Sequence, residues 1–107
     1  MIDKVANRLA VLIKKAPALF SEISEYDMML KSSPEKWSIK QIIGHLIDSA
    51  TNNHQRFVRG QFEDHPEIQY DQNMWNEFNF YQEIETKHLI DFWTIYNKQL
   101  LLSLIHI

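Results

Sequence analysis

Apolar residues recur at helical spacing in three stretches of the chain. The first stretch runs from about Asp3 to Glu25, and its spacing of three or four residues predicts an amphipathic helix that Asp3 caps. Pro17 lacks an N–H and clashes with the preceding turn, so we expect a break or kink there, followed by a short piece through Phe20 and Ile23. The apolar positions before it are Val5, Leu9, Leu12, Ile13 and Ala16.

The second stretch has the clearest start and stop signals. After a connector over residues 27–36, Ser38 and Gln41 form the pattern of a capping box. Gly60 is placed to end the helix, which is therefore predicted over Ile39–Arg59. Its apolar stripe consists of Ile39, Ile42, Ile43, Leu46, Ala50 and Phe57.

A long loop is predicted from Gln61 to about Glu77, with the third helix beginning between Asn79 and Thr86. The third apolar stripe consists of Leu89, Phe92, Trp93, Tyr96 and Leu100. Long loops in small domains are often functional. Two interpretations stay open for the aromatic residues of this loop: they cover a pocket beside the second helix, or Trp75 fills one end of the bundle.

Three amphipathic helices bury their apolar faces best when a fourth joins them. The chain ends inside an apolar run, Leu100–Ile107, without a polar cap. We therefore expect an all-α helix bundle of which about three helices are present, so that residues 1–107 form a partial domain. Residues 102–107 resemble a translated sequencing adapter, and native sequence is the equally open alternative. Pairing between chains through the third stripe is the alternative to a fourth helix.

Composition agrees with one helical domain. The 107 residues include 45% hydrophobic and 23% charged positions, with only 2 glycines and 3 prolines. A net charge of −3 and the lack of a Lys/Arg stripe argue against nucleic acid as a partner. The absence of cysteine excludes a disulfide, a thiolate metal site and a cysteine nucleophile within this sequence. No signal peptide and no apolar run of about 18 residues is found, which predicts a cytoplasmic protein without a membrane span.

A polar stripe follows one side of the second helix. At about 100° per residue, its members fall within a narrow sector, and they are His45, Asp48, Ser49, Asn52 and Arg56. The stripe is either a solvated face or the lining of a pocket. In the second interpretation, His45 offers an imidazole to a metal and Asp48 orients it.

One histidine does not make a metal site, because a catalytic zinc or nickel ion needs about three protein ligands. His54 points to the opposite side of the same helix, and no HxxxH or HExxH pair occurs in the chain. Spacing alone therefore leaves the metal hypothesis open against a structural histidine.

The segment from Lys36 to Ala50, with its Trp-Ser pair followed by His45-Leu46 and Asp48, resembles the signature of the DinB-like superfamily. Residues 53–57 and 70–75 resemble its bacillithiol-transferase-like branch, and the similarity covers about residues 3–101. The resemblance implies an up-down four-helix bundle. It also implies a divalent metal, nickel or zinc, held by three histidines. His45 matches the first, and the other two form an HxxxH pair on the last helix of the family.

By the same resemblance, the protein is a thiol S-transferase or hydrolase whose partner is a small-molecule thiol or another small substrate. The metal would activate that thiol or a water. Asp48, Asn52 and Arg56 are expected to support the metal ligand or to face the substrate, an assignment that depends only on the helical stripe. As a fragment, the chain is expected to be inactive and to bind metal weakly or not at all.

The alternative is a non-catalytic helical module for binding or stress response. The sequence of the fourth helix separates this module from the enzyme, since only the enzyme requires the HxxxH pair. A third hypothesis is a three-helix unit that self-associates as a homodimer through the third stripe.

Overall fold

The protein is all-α in the computed structural model, which describes residues 2–107. Its helices are α1 (Ile2–Ser21), α2 (Glu25–Met29), α3 (Ile39–Arg59), α4 (Gln72–Asn79) and α5 (Thr86–Leu104), with a 3-10 turn at Tyr81–Glu83. The part of the chain described contains no β-strand, which confirms the helical class. Within the same residues, none of the helices has the length and apolar character required to traverse a lipid bilayer.

Helix α5 packs against both α1 and α3, and α3 also contacts α2, α4 and the 3-10 turn. The core forms where α5 meets α3, and the last turns of α1, α2 and the 3-10 turn close it. The buried cluster consists of Met28, Ile43, Ile47, Tyr81, Leu89, Ile90 and Trp93. Further along the same face of α5, an apolar groove lies between α1 and α3, and Trp93 belongs both to the core cluster and to the groove.

The bounds predicted for α3 are confirmed. Ser38 Oγ accepts a hydrogen bond from the Gln41 backbone N–H at 3.1 Å, and Gln41 Oε1 accepts one from the Ser38 N–H at 2.9 Å. This capping box satisfies two of the N–H groups that a helix start leaves unpaired. The apolar stripe is confirmed only in part, since Ile43 and Ala50 are buried while Leu46 is 38% exposed.

The break predicted at Pro17 is wrong, because α1 continues through it to Ser21. Only one further turn follows Pro17, so the lost hydrogen bond lies close to the helix end. Packing offsets that loss, since Phe20 and Ile23 both lie against the core cluster. The chain turns instead at residues 22–24, where Ser24 caps α2 through the Asp27 N–H.

The loop predicted over residues 61–77 is shorter in the structure, because residues 72–77 belong to α4. The carboxylate of Asp71 accepts hydrogen bonds from the N–H groups of Asn73 and Met74, which is the geometry of an N-cap. Phe80 ends the helix in the left-handed conformation, with φ 56°. The start of α5 at Thr86 falls within the predicted interval.

Tyr81 and Gly44 fix the 3-10 turn against α3. A Cβ built on Gly44 would lie 2.1 to 2.5 Å from carbons of the Tyr81 ring, closer than any real contact. The ring is buried in the core cluster, so it cannot move aside without losing its own packing. A residue without a side chain is therefore required at position 44.

We expect Gly44→Ala to destabilise the fold by about 1–3 kcal/mol, the usual cost of forcing an extra carbon into a packed core. Urea denaturation followed by circular dichroism would measure the change in the free energy of unfolding. In a Tyr81→Ala background, the same substitution should cost much less, because the ring carbons that meet the new Cβ are gone. Equal costs in both backgrounds would contradict this contact.

Candidate functional site

His45 lies on α3, about one turn after Gln41 of the capping box. Its ring is half-buried and packs against the Trp37 indole, with ring centroids 5.1 Å apart and planes inclined by 33°. Nδ1 is buried and has no hydrogen-bond partner among residues 2–107. Because most buried polar atoms are paired, this nitrogen is a candidate for a ligand or for a group contributed by another element.

Asp48 follows His45 on the same side of α3 and is almost fully buried, with 1% of its surface exposed. Its Oδ1 accepts a hydrogen bond of 2.5 Å from the Tyr81 hydroxyl and one of 3.1 Å from Asn79 Nδ2. Oδ2 is buried and unpartnered among the residues described. Burial raises the pKa of this carboxyl, while the Tyr81 hydrogen bond and the nearby His45 oppose the rise.

Asn52 and Arg56 continue the stripe but make contacts of a structural kind. Asn52 is 3% exposed, and its Nδ2 donates to the Asp48 backbone carbonyl at 2.8 Å. Arg56 is exposed and donates to Asn53 Oδ1 at 2.7 Å and to the Ile68 carbonyl at 2.8 Å. The expectation that these two side chains support catalysis or face a substrate stays a prediction.

The segment between α3 and α4 lies along the polar stripe. Besides the contact between Arg56 and Ile68, the Tyr70 hydroxyl and Ser49 Oγ form a hydrogen bond of 3.1 Å. The Tyr70 ring meets Trp75 edge to face, with centroids 5.7 Å apart. The stripe is therefore not a purely solvated face: its middle is buried and its far end holds the loop.

The remaining histidines lie away from His45. His54 points toward α5, where its Nδ1 and the Tyr96 hydroxyl are 2.7 Å apart, so it links two helices. His65 and His88 are exposed. Between residues 2 and 107, no group of three His, Cys, Asp or Glu side chains could hold a metal ion. The residues described therefore supply His45 as a single candidate ligand.

A comparison of the chain with protein-family models, with curated proteins and with solved structures found no match. The functional interpretation consequently depends on the geometry around His45 and on the resemblance in the sequence.

The raised pKa of Asp48 predicts a specific pH dependence of stability. A carboxyl with a higher pKa in the folded state binds more protons than in the unfolded chain. Its contribution to the free energy of unfolding therefore falls as pH rises from below the ordinary Asp value of 3.8 through the raised pKa. Asp48→Asn keeps an acceptor for Tyr81 and Asn79 and removes the titration.

We expect the difference in stability between the Asp48→Asn variant and the parent to shift in favour of the variant over this pH range. Urea denaturation at a series of pH values would measure it. Asp64→Asn serves as the control, because Asp64 is fully exposed on the loop. If the parent and Asp48→Asn curves run parallel, burial does not govern the Asp48 carboxyl.

Proposed function

We propose that this chain is part of a metal-dependent DinB-like enzyme, a thiol S-transferase or hydrolase, in which His45 is one ligand of a nickel or zinc ion. The observation that supports this most is the imidazole itself, which is held against Trp37 with its buried Nδ1 unpartnered among the residues described. An unpaired buried polar atom costs free energy. A metal ion bound by this ring, or a group packed over it, would supply the partner.

The groove between α1 and α3 supports the expectation of a fourth helix. It has a volume of about 490 Å³, and Trp93 and Leu100 of α5 form its floor. Val5 and Leu12 of α1 line it while 49% and 44% exposed, so this wall of the groove presents apolar surface to solvent. A helix with an apolar stripe would cover them.

The groove reaches the neighbourhood of His45. Leu46, the next residue on α3, and Ser49, one turn further, both line it. In the proposed bundle, the fourth helix occupies the groove and places its histidine pair beside His45. One imidazole fits such a site as one ligand of about three. The described residues do not complete the set, so the remaining ligands would come from that helix.

When bound, such an ion lowers the pKa of a coordinated thiol or water and so generates a nucleophile near neutral pH. The chain's own residues would shape the surroundings. Trp37 fixes the plane of the His45 ring, and the loop held by Arg56 and Tyr70 keeps solvent from one side of α3. The substrate in this proposal is a small-molecule thiol or another small compound.

The metal proposal predicts weak binding by this chain through His45. We expect titration with Ni²⁺ to perturb the His45 ring and the adjacent Trp37 indole resonance in ¹H–¹⁵N spectra, with an affinity well below that of a site with three ligands. His45→Gln should abolish the effect, whereas His88→Gln, on an exposed face of α5, should preserve it. Loss of the effect in both variants, or in neither, would refute the assignment.

A longer reading frame that includes this chain should encode a helix with two histidines four residues apart. The expected apolar stripe of that helix matches the groove. DNA sequencing of clones that extend past codon 107 checks this, with the spacing and the stripe read together. An extended frame whose next helix lacks the histidine pair would favour the alternative, a non-catalytic helical module.

In that alternative, the same groove is a self-association surface, and its exposed aliphatic side chains pair between two copies. The groove alone fits either occupant. The unpaired His45 nitrogen favours the enzyme, because a purely apolar interface gives no reason to bury an imidazole without a partner.

A further inference from the structure

The apolar groove is lined by rows of residues that follow one spacing on each of its three helices. On α5 the row consists of Trp93, Asn97, Leu100 and Leu104, at intervals of four, three and four residues. The same intervals occur on α1 from Val5 to Ala16 and on α3 from Leu46 to Phe57. Alternating steps of three and four residues are typical of helices that pack knobs into holes. The occupant that fits the groove is therefore a further helix with the same spacing in its apolar row.

Asn97 is the polar member of the row on α5. It is 7% exposed, and its Nδ2 donates to the Trp93 backbone carbonyl at 2.8 Å. A carbonyl only accepts, so this contact fixes which end of the amide faces the helix and which end is left over. The remaining atom, Oδ1, has no hydrogen-bond partner among residues 2–107, yet it is not one of the unpaired side-chain atoms sealed from solvent. It therefore offers an accessible acceptor where Asn97 lines the groove.

Asn53 is the polar member of the row on α3. Its Oδ1 accepts a hydrogen bond from Arg56 Nη1 at 2.7 Å, and its Nδ2 has no partner in the part of the chain described. The neighbouring residues, His54 and Tyr96, join α3 to α5 by a hydrogen bond. Asn53 and Asn97 consequently lie at about the same level along the groove. One of them presents a donor and the other presents an acceptor.

These two asparagines restrict the chemistry of the occupant. A uniformly apolar helix would bury both amide groups unpaired, which costs free energy. A carboxylate only accepts and an ammonium only donates, whereas an amide side chain does both. In helix bundles, a single buried amide at such a position fixes the register of the helices. The matching group on the occupant is therefore one Asn or Gln within its apolar row.

We propose that the apolar groove binds a helix whose apolar row is interrupted once, by an Asn or Gln that sets its register. The N–H of this amide donates to Asn97 Oδ1, and its carbonyl accepts from Asn53 Nδ2. The inference rests on the proposed function, in which a helix occupies the groove, and adds the chemistry that this helix carries. It does not depend on metal binding by His45.

Synthetic helical peptides of about 20 residues test the proposal. They share a leucine row with alternating steps of three and four residues, and each carries a single Gln at a different position of the row. An all-leucine peptide is the reference. Fluorescence anisotropy would measure their binding to the chain. We expect one Gln position to bind about tenfold more tightly than the all-leucine peptide, because only that register pairs the two asparagines.

Asn97→Leu should reverse this preference, so that the all-leucine peptide binds most tightly. Asn53→Leu should reduce the preference, because the peptide amide then loses its donor. Thr94→Val is the matched control. Thr94 also bonds to a carbonyl four residues earlier on α5, but it lies outside the groove, so this variant should keep the parent's preference. Circular dichroism would confirm that the variants fold.

The same measurements separate this inference from the proposed function. An all-leucine peptide that binds the parent most tightly, or a Gln preference that persists in Asn97→Leu, would overturn the inference alone. Binding of none of the peptides, or sedimentation of the chain as a dimer that excludes them, would overturn it by showing that the groove takes another occupant. A Gln preference without any effect of Ni²⁺ on His45 would support the inference and count against the metal site.

Discussion

The Tyr81 ring lies where any side chain at position 44 would have to be, and its hydroxyl donates to a buried carboxylate one turn further along α3. These two contacts attach the 3-10 turn to α3, and with it the end of α4. Asn76 adds a third contact through the Gln41 carbonyl. Without these contacts, the carboxylate of Asp48 would face water, and its ionised form would carry no desolvation penalty. Tyr81 therefore buries the side of α3 that carries Asp48.

Helix α3 consequently has three different environments around its axis. One side packs on α5 through Ile43 and Ile47, and the His54–Tyr96 hydrogen bond extends that contact. A second side is closed by α4 and the 3-10 turn, and a third side opens into the apolar groove. At about 100° per residue, His45 lies between Asp48 of the closed side and Leu46 of the groove. A group entering the groove would therefore meet the imidazole at its edge.

The residues of the candidate site were predictable as a set, but their environments were not. The stripe from His45 to Arg56 follows from helical periodicity, and the capping box fixes its register. Periodicity describes only which residues share a side of one helix. The burial of Asp48 depends on a tyrosine 33 residues later, and the contacts of Arg56 depend on a carbonyl of the following loop.

The amino-acid sequence was sufficient to predict local structure: an all-helical chain, the bounds of α3, the interval in which α5 begins and the place of His45 on α3. Capping boxes and helical hydrogen bonds join residues three or four positions apart, so they can be read from neighbours in the chain. Three features depend on how the helices pack together: which polar groups are buried, the continuation of α1 through Pro17, and the place of Leu46 in an open groove instead of the core. These outcomes depend on packing between distant segments, and the free energy of packing is set by the partner that each surface meets.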